Sequence, residues 1–150
     1  MNTAVISDLH LGSGAGSDLL RRDRFVDRLL DATTDCERLV LLGDTIELRD
    51  GPISEAMERA QPFFERIAGR YETVVLVPGN HDHRLLGGWL GRVRDGDPDA
   101  DGVAELVATP HEWVGHIDEW LGADTQLETR YPGVWIRDDV FATHGHYLDS

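Results

Sequence analysis

Asp8-Leu9-His10, Gly43-Asp44, Gly79-Asn80-His81-Asp82 and Thr143-His144 each close an apolar stretch of the chain with carboxylate, carboxamide or imidazole groups. Asn offers a neutral carbonyl oxygen, His a metal ligand or proton carrier, and Asp a charge that binds an ion or orients an imidazole. Together they suit metal-assisted chemistry on an oxygen-rich substrate. Asp8 and His10 are two residues apart, so an extended backbone would point both to one face, where they can share an ion. Any one of these clusters is also what an ordinary polar strand end looks like. Four in succession are hard to produce without a site. Asp8, His10, Asp44, Asn80 and His144 supply oxygen and nitrogen donors but no sulfur, the mixture that hard-to-borderline divalent cations take.

The elements that must position these groups follow from hydrophobic periodicity. Thr3 to Ser7, Leu39 to Leu42 and Thr73 to Val77 are short apolar runs with the character of strands buried on both faces. Ser17 can cap a helix running to about Ala32, with Phe25, Val26, Leu29 and Leu30 as its buried stripe. A second helix, about Ser54 to Ala68, contains Pro62 and is expected to kink or split there. The resulting β-α-β-α-β order predicts an α/β fold with a parallel sheet whose polar strand ends share one edge, where open α/β sheets collect ligands. Residues from about 84 to 130 break the rhythm and read as a helical and loop insertion or cap, not a continuation of the sheet. Thr109, Pro110 and Glu112 form a capping box ahead of a helix with Trp113, Ile117, Trp120 and Leu121 on one face. Gly133 to Arg137 and Val140 to Thr143 read as two strands turning at Asp138-Asp139.

Three further patterns resemble sites and fail. Gly12-Ser13-Gly14-Ala15-Gly16 misses the spacing of a dinucleotide-binding loop and reads as a flexible loop rimming the site. Asp97, Asp99, Asp101 and Gly102 match the opening of a calcium loop, but its closing bidentate position is Ala108. His111 and His116 are five apart, which puts them on different sides of a helix and excludes the H-E-x-x-H zinc arrangement.

Composition bounds the rest. The chain has 150 residues, 41% apolar and 28% charged, ordinary values for one globular domain, and its net charge of −14 is set against Arg alone, with no Lys. Such an acidic chain disfavours nonspecific nucleic-acid binding, which needs clustered basic residues. One cysteine, Cys36, excludes an intramolecular disulfide. No transmembrane segment and no secretory leader is expected, so the cytoplasm is the expected location.

Read together, Asp8/His10, Gly43-Asp44, Gly79-Asn80-His81-Asp82 and His144 resemble the calcineurin-like metallophosphoesterase superfamily, whose signature is D-x-H, G-D, G-N-H-D/E, a later His, and G-H-x-H. The resemblance spans essentially the whole chain. It implies the amino-terminal part of a four-layer α-β-β-α sandwich and a centre of two divalent ions, Mn, Fe, Zn or Mg. Asp8 and His10 would hold the first ion, Asp44 would bridge, and Asn80 with His144 would hold the second. His81 would stand outside the metal shell and act on the phosphate or leaving group, with Asp82 steering its ring. The implied activity is hydrolysis of a phosphomonoester, phosphodiester or pyrophosphate by metal-bound hydroxide, on a phosphorylated small-molecule or nucleotide-type substrate. Two departures stand out. Glu47 occupies the place where G-D-x-x-D members carry Asp, and the final G-H-x-H is absent, so that each ion is one His short. The 150 residues are accordingly expected to be an incomplete domain, inactive alone. The rival reading is a catalytically inactive metal-edge scaffold that binds another protein, and a third is a nucleotide-binding domain built on the glycine-rich loop.

Overall fold

The computed structural model describes residues 1–86 and 112–145. Four strands form a parallel sheet in the order β1 (Thr3–Ile6), β2 (Arg38–Leu42), β3 (Thr73–Val77) and β4 (Gln126–Thr129). Helices α1 (Asp23–Ala32), α2 (Ile53–Ile67) and α3 (Glu112–Leu121) supply the core of one face, and a two-stranded antiparallel hairpin, β5 (Gly133–Arg137) with β6 (Val140–Thr143), covers part of the other. The described residues thus form a mixed α/β architecture, as expected for the amino-terminal part of a metallophosphoesterase fold.

The alternation of side chains along a strand divides each apolar run between two cores. Leu39 and Leu41 of β2 and Val74 and Leu76 of β3 join the helix-side cluster with Phe63, Phe64, Ile67, Ile117 and Leu121. Val40, Val75 and Val77 turn the other way, against Val134 and Ile136 of β5. Fully burying an aliphatic side chain is worth about 1.5–3 kcal/mol, so both faces hold the central strands in register. β1 differs, because Ala4 and Ile6 pack on the helix side while Val5 remains 43% exposed.

Several sequence-based expectations are corrected. The helix capped by Ser17 is two elements, a 3-10 turn at Leu19–Arg21 and α1, whose N-cap Arg22 makes no side-chain cap bond. The break arises because the buried Asp18 carboxylate accepts the Gly12 N–H at 2.8 Å and lies 3.4 Å from Arg21 Nε. α2 is one helix running through Pro62. The stretch read as an insertion rejoins the sheet, since Gln126–Thr129 pairs parallel with β3 and α3 packs on α2. Trp113 and Trp120 are half-buried on the core beside buried Val114, Ile117 and Leu121. The calcium-like tract, Thr109, Pro110 and His111 lie outside the described residues. The hairpin forms at the expected residues.

Candidate metal centre

The carboxyl ends of β1, β2 and β3 are bound together by their backbones. Asp8 N–H donates to Gly43 O at 3.0 Å, His10 N–H to Asp44 O at 2.9 Å, and Gly43 N–H to Val77 O at 2.7 Å. Leu11 pairs with Ile46 in an isolated parallel bridge, which continues this stitching beyond the strands. Asp8, His10 and Asp44 adopt left-handed backbone conformations, with φ of 57°, 46° and 52°. The extended Asp-x-His geometry expected from the spacing is therefore not present. The two side chains still meet, His10 Nε2 lying 3.8 Å from Asp8 Oδ1, because both residues turn out of the strand direction. Left-handed non-glycine residues cost on the order of 1–3 kcal/mol each and persist where their surroundings over-determine them, as at ligand clamps.

From the hairpin, His144 Nε2 faces two of these carboxylates, 3.4 Å from Asp8 Oδ1 and 3.5 Å from Asp44 Oδ2. The close approach depends on missing side chains. A Cβ on Gly43 would fall 2.2 Å from the His144 ring, and one on Gly79 would fall 2.3 Å from Asp44 Oδ1. His81 N–H donates to the same Asp44 oxygen at 2.9 Å. Asn80 follows Gly79 and precedes His81 on the loop after β3, half-buried.

Glu47 is the residue that sequence reasoning left outside the site. Only 5% exposed, its Oε2 accepts from His10 Nδ1 at 3.1 Å and from His81 Nδ1 at 2.6 Å, while its Oε1 accepts the Arg49 N–H at 3.0 Å. The two imidazoles meet edge to face with centroids 4.9 Å apart. A neutral His10 donating through Nδ1 keeps the Nε2 lone pair for a metal, the usual tautomer of a histidine ligand. His81 Nε2 faces outward, 3.5 Å from Arg49 Nη1.

The expectation that Asp82 steers the His81 ring is corrected. Asp82 is fully buried, and its Oδ1 accepts the Gly79 N–H at 2.6 Å while its Oδ2 accepts those of Thr45 and Ile46 at 2.7 and 3.2 Å. Its carboxylate ties the β2 and β3 loops together beneath the site, and Glu47 is what holds His81. Burial pushes the Asp82 carboxyl up to about 6 against the pull of these three N–H groups, with the Asp44 charge adding to the rise. Burial also acts to raise Asp8 and Glu47, yet both lie below their ordinary values. Ser7, His144 and His10 lower Asp8, and the Arg49 N–H with His10 and His81 lowers Glu47.

The donor set fits divalent cations. Asp8, His10 and Asp44 bring ligand atoms within 4.8 Å of one another, as do His10, Glu47 and His81. Carboxylate oxygens and imidazole nitrogens on a rigid edge match hard-to-borderline ions. The glycine loop does not offer a phosphate cradle, since the N–H groups of Gly12, Ser13, Ala15 and Gly16 donate to Asp18, His10, Ser13 Oγ and Ser13 O respectively. Arg59 Nη1 also donates to Gly12 O, so the first part of that loop is pinned to α2 instead of lying loose over the site. His116, on α3, is exposed and stacked on Trp120. Among the described residues, no helix is long and apolar enough to cross a membrane.

The sequence profile of the calcineurin-like phosphoesterase family matches residues 1–150. Among solved structures, the chain is similar to the crystal structure of Pseudomonas putida nuclease MPE, at 19% sequence identity and a TM-score of 0.44. That alignment covers 91% of this chain and 50% of the other, so the chain spans about half the length of that protein. No curated protein matches the chain.

Proposed function

The chain belongs to the calcineurin-like phosphoesterase family, whose members are in general metal-dependent phosphoester hydrolases, and we propose that it works through a binuclear centre held by Asp8, His10, Asp44, Asn80 and His144. The observation carrying this reading is the convergence of Asp8, His10, Asp44 and His144 from three different strand ends, with His144 Nε2 within 3.5 Å of both carboxylates. When bound, divalent ions such as Mn, Fe, Zn or Mg would neutralise phosphate oxygens and activate a water for attack on phosphorus. Their charge also matters to a chain of net charge −14, because distant surface charge is screened beyond ~8 Å at physiological salt and the local sign decides.

The protein's own groups then have distinct tasks. Glu47, fixed by the Arg49 N–H, orients His10 as a ligand and His81 as a proton carrier. As an imidazolium whose Nδ1–H is held by Glu47, His81 gives its Nε2 proton to the leaving oxygen as the phosphorus–oxygen bond breaks. The Arg49 guanidinium beside it adds a positive charge where a non-bridging phosphate oxygen would lie. Asp82 fixes the loops that carry Asp44 and His81 without touching the reacting atoms.

The test is turnover of bis(4-nitrophenyl) phosphate by the full-length protein with Mn²⁺. The wild type is expected to release nitrophenolate, and on a dialkyl phosphate, whose alkoxide needs a proton to leave, His81→Ala is expected to lower kcat by roughly 10²–10⁴ with metal content unchanged. Loss of the metal from that variant would make His81 a ligand. A wild type that binds metal and turns over no ester would favour the inactive scaffold.

A further inference from the structure

Beside Asp8, a half-open cavity of about 330 Å³ is lined by Ser7, Asp8, Leu9, Ser17, Leu19, Leu20 and Phe25. Its walls come from the β1 end, the 3-10 turn and the start of α1. Leu19, on the 3-10 turn, is 54% exposed. The Arg24 guanidinium stacks over the Phe25 ring, 4.7 Å from its centroid.

We propose that this cavity is a subsite for an apolar ester group that stays on phosphorus, so that the preferred substrates are phosphodiesters carrying one small alkyl or aryl group. The proposal rests on the phosphoester reading of the adjoining centre, with which it is continuous through Asp8. Neither His81, Glu47 nor Arg49 lines the cavity, so the group seated there is taken as the one retained on phosphorus and not the leaving group that His81 serves. The volume sits at the lower end of the ~300–1,000 Å³ range for small-molecule sites, which suits one ring or a short chain. A nucleoside is disfavoured because Leu9, Leu19, Leu20 and Phe25 make the apolar wall, and the polar residues Ser7, Asp8 and Ser17 bring no carboxamide or guanidinium to pair with a base edge. In the reaction, water adds to phosphorus, the bond to the leaving oxygen breaks, His81 protonates that oxygen, and the alkyl or aryl phosphate monoester is released.

The experiment keeps the leaving group constant and varies the retained one, comparing methyl, phenyl, hexyl and thymidine-5′ 4-nitrophenyl phosphates with the full-length, Mn²⁺-loaded protein. The phenyl and hexyl esters should exceed the methyl ester in kcat/KM by about tenfold or more, as expected for an apolar group entering an apolar pocket. Leu19→Asp, at an exposed position that tolerates a charge, should collapse that ratio towards one. Equal rates for methyl and phenyl esters, a ratio unmoved by Leu19→Asp, or a preference for the thymidine ester would overturn the subsite. Calorimetric binding of phenylphosphonate against methylphosphonate separates this outcome from failure of the hydrolase reading. If no ester turns over, about tenfold tighter binding of the phenyl compound that Leu19→Asp abolishes would still support the subsite, and equal binding would refute it.

Discussion

One carboxylate oxygen accepting from two imidazoles sets the character of this site. Glu47 Oε2 reaches Nδ1 of both His10 and His81, so a single buried side chain holds both the proposed ligand and the proposed proton carrier. Glu47→Gln keeps the shape but brings one acceptor oxygen and an amide donor, so one imidazole must lose its partner or turn. Removing such outer partners commonly costs 10–100-fold in metal affinity. We therefore expect Glu47→Gln to bind Mn²⁺ about 10–100-fold more weakly in calorimetric titration, and an unchanged affinity would mean that His10 needs no such support. The proposed donors Asp8, His10, Asp44, Asn80 and His144 stand out in the sequence because their types and order form a pattern along the chain. Glu47 was visible only as a substitution of Glu for Asp, since a shared acceptor is defined by two rings 34 and 37 residues away.

The strand ends are held by loops, and Asp82 is the clamp between two of them. Its folded carboxyl is raised to about 6 from 3.8, so folding favours the protonated form. The stabilisation is full below the unfolded value and is lost as pH rises through about 6, a contribution on the order of 3 kcal/mol. Asp8 and Glu47 act in the opposite sense, since their lowered values stabilise above the ordinary carboxylate range and lose that stabilisation as pH falls. A comparison with Asp82→Asn isolates the first effect. Across pH 4 to 6 in metal-free buffer, the wild type should lose stability to urea relative to the variant, and parallel curves would contradict the assigned shift. Elements were legible where pattern was strong. The run Thr73–Val77 and the Asp138-Asp139 turn announce themselves, whereas β4 offers Gln126, Glu128 and Thr129 around a lone Leu127. An edge strand with polar alternate positions gives little periodic signal, and only its pairing with β3 reveals it. Likewise the left-handed turns at Asp8 and His10 carry no glycine to mark them.

At the scale of the whole molecule, helices on one face and a hairpin on the other pack against the central strands, and the polar edge stands at the carboxyl ends of those strands. The hairpin does two jobs, since Val134 and Ile136 cover β2 and β3 while His144, just past β6, reaches Asp8 and Asp44. The central claim is that this edge holds two divalent ions with Asp44 between them. Its most direct test is a crystal structure of the full-length protein grown with Mn²⁺, with anomalous scattering recorded at the manganese edge. Two peaks ~3.5–4 Å apart, both within ligand distance of Asp44, with His10 Nε2 and Asp8 at one and Asn80 with His144 at the other, are the predicted result. A single peak held by His10, Glu47 and His81, or no peak near Asp44, would contradict it.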